Sequence, residues 1–584
     1  MNLTNFLKRT DELAAKYTTA QLISFIHNIG RVLPEKDRED FLMKLKAAGE
    51  ENENALKTDL VKGYNFSKTY EYIRNNLKII DSQEITIERI PNEAYDDWYD
   101  DNSEEFIYED SEGITEMLAE ACDFVHICMD REKYTEGYEI GKQLCEMQIL
   151  CESEYGDEEF SIADMVYHKI LSCDLRQTAL DALYCAYQSV PMEKRPEIFY
   201  EMISDLRRDK ITLEEVMQHG DSELPDFRQF LTCLIPFVGD KTGYYADRLF
   251  AEAVSLLDEA PAAAEYAKKY AAVHPGLYLE LLENRKSADE KAMASIGFEA
   301  MKTIPEKYIM RSRVALKTAE YLIRANEDSS LLEMCYFTAY ESDTSALNYL
   351  RVLLNGYGTE TKRKELKKIF MAFSADENDR FYGYSDFNSE RKENKPDLNM
   401  LLLLWFLDGQ FADVLAEGMD KQEALGWTGT FMKQGIALYL LYLYEGRWSG
   451  SGMAEMANIA KTAIGFSEEK YLRGLPEISE KTETDLFMDI FLKWKSIVRM
   501  EPGVREYAIG KITKLLEKRT EGIMNANRRR YYGECAAYIA ALGEVQESLG
   551  DTGAKQRLMT SYKDKYSRRS AFRAEMKEYG WRGV

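Results

Sequence analysis

The chain has 584 residues, and its 102 acidic side chains against 75 lysines and arginines give a formal net charge of 75 − 102 = −27. Apolar residues make up 45% of the chain, which excludes a wholly disordered protein. Only 12 residues are proline, about 2% against an average of about 5%. This shortage of proline favours long helices over all-β or loop-rich folds.

The N-terminal residues do not have the pattern of a secretory signal. Residues 1–9 contain no basic stretch followed by a long apolar run. The longest apolar runs, 400–407 and 436–444, are shorter than the roughly 20 residues that span a bilayer. We therefore expect a soluble protein of a bacterial-type cytoplasm, without membrane association, in which both runs are the buried centres of helices.

The cysteines lie singly within segments of helical apolar spacing, as reduced core cysteines do. An odd number of cysteines in a long chain also argues against a disulfide framework. The nine are Cys122, Cys128, Cys145, Cys151, Cys173, Cys185, Cys233, Cys335 and Cys535.

An acidic, aromatic segment follows an N-terminal helical region that we assign to residues 1–91. Residues 92–112 hold ten acidic residues and no basic one. Three interpretations stay open: a solvated linker, a segment that binds a basic partner or the chain's own basic end, and a weak site for divalent cations without the spacing of an EF-hand loop. The residues that we assign to partner binding are Tyr95, Asp96, Asp97, Trp98, Tyr99, Asp100 and Asp101.

Residues 113–374 repeat a pattern of helix, short break and helix. Ile114, Leu118, Ala121 and Val125 show the spacing of one helix face. Successive helices with short connections pack antiparallel, and hairpins in series form a solenoid. We therefore predict an all-α fold without a sheet, a right-handed, tetratricopeptide-like α-solenoid, although the full tetratricopeptide signature is absent. A non-repetitive helical domain is the alternative.

A polar loop at 375–397, which we expect to be functional or mobile, separates this region from C-terminal helical repeats at 398–584. Residues 505–584 contain 17 basic and 10 acidic residues, a net charge of 17 − 10 = +7, so the rest of the chain carries −34. The basic end is either the solvated face of a terminal repeat or a surface that binds RNA, DNA or an acidic protein. Its candidate contacts are Arg528, Arg529, Arg530, Lys565, Arg568, Arg569, Arg573 and Lys577.

No catalytic motif is present in the sequence. None of the five histidines stands in H-E-x-x-H, no second Cys/His pair completes a zinc spacing, and neither a phosphate-binding loop nor a G-x-S-x-G elbow occurs. We accordingly predict no catalytic residue, no cofactor and no metal site.

The segment 527–538, with its Asn-Arg-Arg-Arg-Tyr-Tyr start, and the later Ser-Arg-Arg-Ser-Ala-Phe of 567–572 carry a resemblance. Over about 60 residues the chain resembles the helical C-terminal region of prokaryotic proteins that carry a SWIM-type zinc finger. That finger needs Cys-x-Cys followed by Cys-x-His, and neither occurs here. The resemblance therefore implies a helical scaffold without the metal site.

These patterns favour a non-catalytic scaffold or adaptor that captures a protein partner on the concave face of a helical-repeat surface. The alternative is a nucleic-acid-associated protein that uses the basic end. A second alternative is an enzyme whose site forms between distant helices. The oligomeric state is left open.

Overall fold

We analysed the protein as a computed structural model. It describes residues 65–92, 106–154, 156–205, 211–220, 224–257, 260–283, 289–373, 390–420, 423–466 and 483–582. The chain divides into two compact units, residues 1–189 and 190–584. Most of the predicted N-terminal helical region, residues 1–64, lies outside the described residues.

The first unit contains five described helices. Helix α2 buries the face that the apolar spacing predicted, including Ile114, Leu118 and Val125. Helices α2, α3 and α5 pack on one another. Gly141 allows this close approach, since a Cβ there would lie 2.5 Å from the Cβ of Ala182. The helices are α1 (Phe66–Asp81), α2 (Ile114–Asp130), α3 (Tyr134–Glu146), α4 (Ile162–Tyr167) and α5 (Leu175–Ser189).

The first unit also contains a four-stranded sheet. Its strands are β1 (Ile87–Pro91), β2 (Phe106–Glu109), β3 (Gln148–Glu152) and β4 (Glu158–Ser161), in the spatial order β2-β1-β3-β4. Strand β1 pairs antiparallel with β2 and parallel with β3, and β3 pairs antiparallel with β4. The prediction of a mostly helical chain is confirmed, but the expectation that it has no sheet is wrong.

The sequence does not show the alternating pattern of this sheet, because its strands are short and one of them contains a buried arginine. Each strand has only four or five residues. Arg89 of β1 is 7% exposed, at a position where an alternating pattern would place an apolar residue. Its guanidinium forms an ion pair with Glu158 of β4 and lies 4.1 Å from the ring centroid of Phe106. Strand β2 belongs to the segment 92–112 that sequence reasoning treated as a linker.

The second unit is helical over nearly all of its described elements. Its helices are α6 (Arg195–Asp205), α7 (Leu213–Met217), α8 (Phe227–Gly239), α9 (Tyr244–Leu257), α10 (Ala260–Lys269), α11 (Gly276–Glu283), α12 (Glu290–Thr303), α13 (Ile309–Arg324), α14 (Ser329–Ser342), α15 (Ala346–Leu354), α16 (Glu360–Phe370), α17 (Leu398–Asp408), α18 (Phe411–Asp413), α19 (Met432–Leu443), α20 (Ser451–Ile464), α21 (Glu483–Ile497), α22 (Pro502–Asn525), α23 (Tyr532–Ser548), α24 (Ala554–Lys565) and α25 (Ser570–Glu578).

Successive helices of this unit pack on their neighbours in the chain. Helix α13 contacts both α12 and α14, and α14 contacts α15. Gly297 brings α12 against α13, since a Cβ there would lie 1.9 Å from Oγ1 of Thr318. Each of these helices therefore buries its apolar face against an adjacent one.

The two longest apolar runs form buried helices, as predicted. Helix α17 buries a run of leucines, and Trp494 donates a hydrogen bond of 2.8 Å to the carbonyl oxygen of Leu407. Ten of the twelve residues of α19 are buried. Among the described residues, no helix combines the length and apolar character that a membrane span requires.

A buried carboxylate of α23 binds the N-terminal end of α20. Glu544, 6% exposed, accepts hydrogen bonds from the backbone N–H groups of Gly452 and Met453 at 3.1 and 2.8 Å. Lys555 balances its charge from 2.5 Å. A Cβ on Gly452 would lie 2.4 Å from the backbone nitrogen of Ala541, so only glycine fits there.

We expect Gly452→Ala to lower the free energy of unfolding by about 1–3 kcal/mol, because the backbones of α20 and α23 must move apart. Denaturant unfolding followed by circular dichroism measures this change. The control is Gly510→Ala in α22, where a Cβ meets no atom within 4 Å. It should raise stability by about 0.5–1 kcal/mol. Equal effects of the two changes would contradict the close-packing argument.

Candidate functional site

The predicted acidic binding residues, Tyr95, Asp96, Asp97, Trp98, Tyr99, Asp100 and Asp101, lie outside the described residues. The eight basic candidate residues are all described. They stand on four pieces of chain: the turn after α22, the last residue of α24, the linker that joins α24 to α25, and α25 itself.

The structure brings two of these groups of cations together. Arg569 donates hydrogen bonds of 2.7 Å to the side-chain oxygen of Asn527 and to the backbone carbonyl of Met524. These bonds hold the turn at 565–569 against the end of α22, directly beside residues 528–530. Asn527 adopts a left-handed backbone with φ of 52° and ends the helix there.

An apolar core shared by α23 and α25 positions the basic residues of α25. Phe572 and Met576 of α25 are fully buried against Tyr532 and Cys535 of α23. The rings of Tyr532 and Phe572 lie 5.8 Å apart, edge to face. Since Arg573 and Lys577 follow these two buried residues by one position each, α25 turns them away from the centre of the core. Lys577 lies a full helical turn further along α25 than Arg573.

Several cations of this end already have partners. Lys565 approaches Glu521 at 3.5 Å, and the guanidinium of Arg530 lies 4.8 Å from the ring centroid of Tyr531. Arg519, only 2% exposed, forms an ion pair of 2.9 Å with Glu534. The net charge of the end therefore overstates the positive charge that is available to a ligand.

Five cations have no ion pair and no side-chain hydrogen bond within the described part of the chain: Arg528, Arg529, Arg568, Arg573 and Lys577. Three of the arginines, Arg528, Arg529 and Arg568, are exposed, and Arg573 is half-buried. Unpaired guanidinium groups bind carboxylates and phosphates through two parallel hydrogen bonds. We call the eight predicted residues 528–530, 565, 568, 569, 573 and 577 the basic surface, in which Arg569 has a structural role.

A second polar cluster, which sequence reasoning missed, is buried in the second unit. Asp247 of α9 is 7% exposed, and His274, between α10 and α11, is 1% exposed. Arg391 reaches Asp247 through two hydrogen bonds of 2.7 and 2.9 Å and also donates to the carbonyl oxygen of Val273. Glu390 accepts a 2.8 Å hydrogen bond from the backbone N–H of Gly276.

The histidine of this cluster is held by two acceptors. Its Nδ1 lies 2.9 Å from Asp247 Oδ1, and its Nε2 lies 3.0 Å from the carbonyl oxygen of Val238. Both nitrogens of the ring therefore have a polar partner within hydrogen-bond distance. Burial acts to raise the pKa of Asp247, but the hydrogen bonds from His274 and Arg391 outweigh it and lower that pKa.

Asp247, His274 and Glu390 place three potential metal-binding atoms within 4.8 Å of one another. The guanidinium of Arg391 already occupies both oxygens of Asp247, and both nitrogens of His274 already lie within hydrogen-bond distance of protein oxygens. The cluster therefore fits an ion-pair anchor better than a metal centre. It fastens the C-terminal part of the predicted loop 375–397 to α9 and α11.

The anchored segment continues across the next helices. The backbone N–H of Asn394 donates to the carbonyl oxygen of Lys307, and its side chain donates to the carbonyl oxygen of Glu341 and to Thr344. The backbone N–H of Ile309 donates to the carbonyl oxygen of Lys392. Residues 390–394 thus bind four separate parts of the second unit, whereas residues 375–389 of the predicted polar loop lie outside the described residues.

Sequence spacing carries no signal for this anchor. Arg391 and Asp247 are 144 residues apart, and the His-Pro-Gly of 274–276 indicated only a break between helices. Comparison with models of protein families, with curated proteins and with solved structures yields no significant match to this chain.

We expect Arg391→Ala to destabilise the protein by about 3–5 kcal/mol, because it leaves the carboxylate of Asp247 buried without its charge partner. Urea unfolding measures the loss. Lys364→Ala, which removes an exposed ion pair with Glu360, is the control and should change stability by less than about 1 kcal/mol. A small effect of Arg391→Ala would show that the anchor is dispensable.

A neighbouring glutamate gives the second unit a distinct pH dependence. Burial, followed by the nearby charges of Glu390, Glu283 and Glu252, raises the pKa of Glu280 to about 7. The folded state then binds more protons than the unfolded state between the ordinary pKa, about 4.5, and pH 7. Stability contributed by this group therefore falls as the pH rises through that window.

Glu280→Gln removes the titrating group and should raise the free energy of unfolding by on the order of 2 kcal/mol at pH 8, with little effect at pH 4.5. Thermal melts of both proteins across this range test the sign. Glu506→Gln, at an exposed position of α22, is the control and should change little at either pH. A gain from Glu280→Gln that is the same at both pH values would refute the titration.

Proposed function

We propose that this chain is a non-catalytic interaction scaffold that captures an acidic protein partner. The observation that carries the proposal is the pair of hydrogen bonds by which Arg569 ties the turn at 565–569 to the end of α22, because they bring Arg568 close to Arg528 and Arg529. A surface held by a packed core pays little ordering entropy when it binds. Arginine side chains also recognise carboxylates with defined geometry.

The helical architecture supports the same proposal. Neighbour-to-neighbour packing from α12 to α15 is typical of helical-repeat proteins, whose hairpins each lack a core of their own. We therefore propose a tetratricopeptide-like α-solenoid for the second unit, with a concave face as a further binding surface. The resemblance of the C-terminal end to SWIM-associated helical regions supports a scaffold role and brings no metal chemistry with it.

A triple charge reversal, R529E/R568E/R573E, tests the basic surface. We expect the tagged full-length variant to lose proteins that the wild type retains from its host lysate after nuclease treatment. The matched control is K302E/K368E/K493E, which makes the same change in net charge at exposed positions on α12, α16 and α21. The control should retain the same proteins. If both triple variants bind like the wild type, the basic surface is not the capture site.

Nucleic acid is the second candidate ligand, because the same guanidinium groups bind phosphates. The strongly negative remainder of the chain disfavours a long duplex, so a short single strand is the appropriate probe. Fluorescence anisotropy should then show binding that R529E/R568E/R573E abolishes and that weakens steeply between 50 and 200 mM salt, by about 10-fold or more. If nuclease abolishes capture of the proteins and the short single strand binds in this salt-dependent way, the ligand of the basic surface is nucleic acid and not a protein.

A further inference from the structure

A histidine and two aspartates of the first unit form a polar group that the proposed scaffold function does not use. His126, near the end of α2, is half-buried. Its Nδ1 lies 2.9 Å from Oδ2 of Asp181 on α5, a carboxylate that is fully buried. Its Nε2 lies 3.7 Å from Oδ2 of Asp130, which is the last residue of α2 and is exposed.

We propose that His126 and Asp130 form a binding site for Zn²⁺ or a similar divalent transition-metal ion, with Nε2 and Oδ2 as the protein ligands and water completing the coordination. Zinc binds histidine nitrogen and carboxylate oxygen at about 2.0–2.2 Å. An ion placed between two atoms that are 3.7 Å apart can therefore bond to both. The imidazole ligand favours such ions over Mg²⁺ and Ca²⁺, which prefer oxygen ligands.

Both ligand atoms are available to an ion that arrives from solvent. In the part of the chain that the structure describes, neither Nε2 of His126 nor the carboxylate of Asp130 forms a hydrogen bond, and their separation of 3.7 Å is too long for one between them. The cluster around His274 differs in this respect, because protein oxygens lie within hydrogen-bond distance of both nitrogens of that ring.

Asp181 supplies the outer carboxylate that metal-binding histidines commonly have. Such a histidine usually donates its other ring N–H to a carboxylate, which fixes the ring and makes it a stronger base. In the neutral ring, a hydrogen on Nδ1 toward Asp181 leaves the lone pair on Nε2, the nitrogen nearer to Asp130. Gln177 holds Asp181 in turn, through a 3.0 Å hydrogen bond to its other oxygen. Asp181 is therefore a positioning residue and not a ligand.

The local charge also favours a cation. The hydrogen bond with Asp181, together with the charges of Asp181, Asp130 and Asp123, raises the pKa of His126 against the opposing effect of burial. The same negative charges stabilise a metal ion at Nε2, where it replaces the proton. The site also lies at the C-terminal end of the 17-residue helix α2, which is the negative end of the helix dipole.

The histidine signals of the full-length protein provide a direct test. The chain has only five histidines, so a ¹H–¹³C spectrum of protein labelled at histidine can resolve the ring of His126. The variant His126→Gln identifies that signal by its absence. Titration with Zn²⁺ at neutral pH should shift or broaden the His126 signal until the site is saturated, whereas Mg²⁺ at the same concentrations should leave it unchanged.

Two substitutions separate the ligand from the positioning residue. Asp181→Asn keeps an acceptor for Nδ1 but removes the charge, and it should weaken zinc binding by about 10- to 100-fold. Asp130→Asn removes a ligand charge and should weaken binding by about tenfold or more. The matched control is Asp123→Asn, which removes the same charge from an exposed position one turn earlier on α2. Its effect should be less than about threefold, because water and salt screen that charge.

A melting curve establishes that each variant folds. If Asp181→Asn does not fold, the wild type and Asp130→Asn decide the matter. The proposal is overturned if zinc leaves the His126 signal of the wild type unchanged, or if a folded Asp130→Asn binds zinc as tightly as the wild type does. Equal losses in Asp123→Asn and Asp130→Asn would also overturn it, because they would show a diffuse attraction of cations to α2.

Discussion

Pairing of buried charges is the constraint on which this helical structure depends. An ionised side chain that is removed from water without a partner costs several kcal/mol. Asp247 is compensated by Arg391, Glu544 by Lys555, and Arg519 by Glu534. Asp247 and Arg391 are 144 positions apart in the chain, so their pairing also decides which elements come together.

The same constraint explains how an acidic chain presents a basic surface. Some arginines of the C-terminal end are used inside: Arg519 neutralises Glu534 and Arg569 binds a helix end. Arg528, Arg529 and Arg568 stay exposed, and the hydrogen bonds of Arg569 hold the segments that carry them together. The surface that we propose as a binding site thus depends on these bonds and on the docking of α25 on α23.

The first unit depends on the close packing of α2, α3 and α5. Gly141 leaves room for Ala182, and Cys128 and Cys185 lie buried on either side of Gly137. Burial raises the pKa of Cys128 to about 12, so this thiol acts as a small apolar side chain of the core.

Local patterns in the sequence determined the helical character of the chain and the buried runs in α17 and α19, because each depends on residues close together in the chain. Tertiary structure alone decided the sheet, whose β1 hides a buried arginine paired with Glu158, and the anchor between Asp247 and Arg391. It also decided the meeting of residues 528–530 with 565–569. Those features join side chains that are distant in the chain, and no local spacing encodes a partner that only folding brings near.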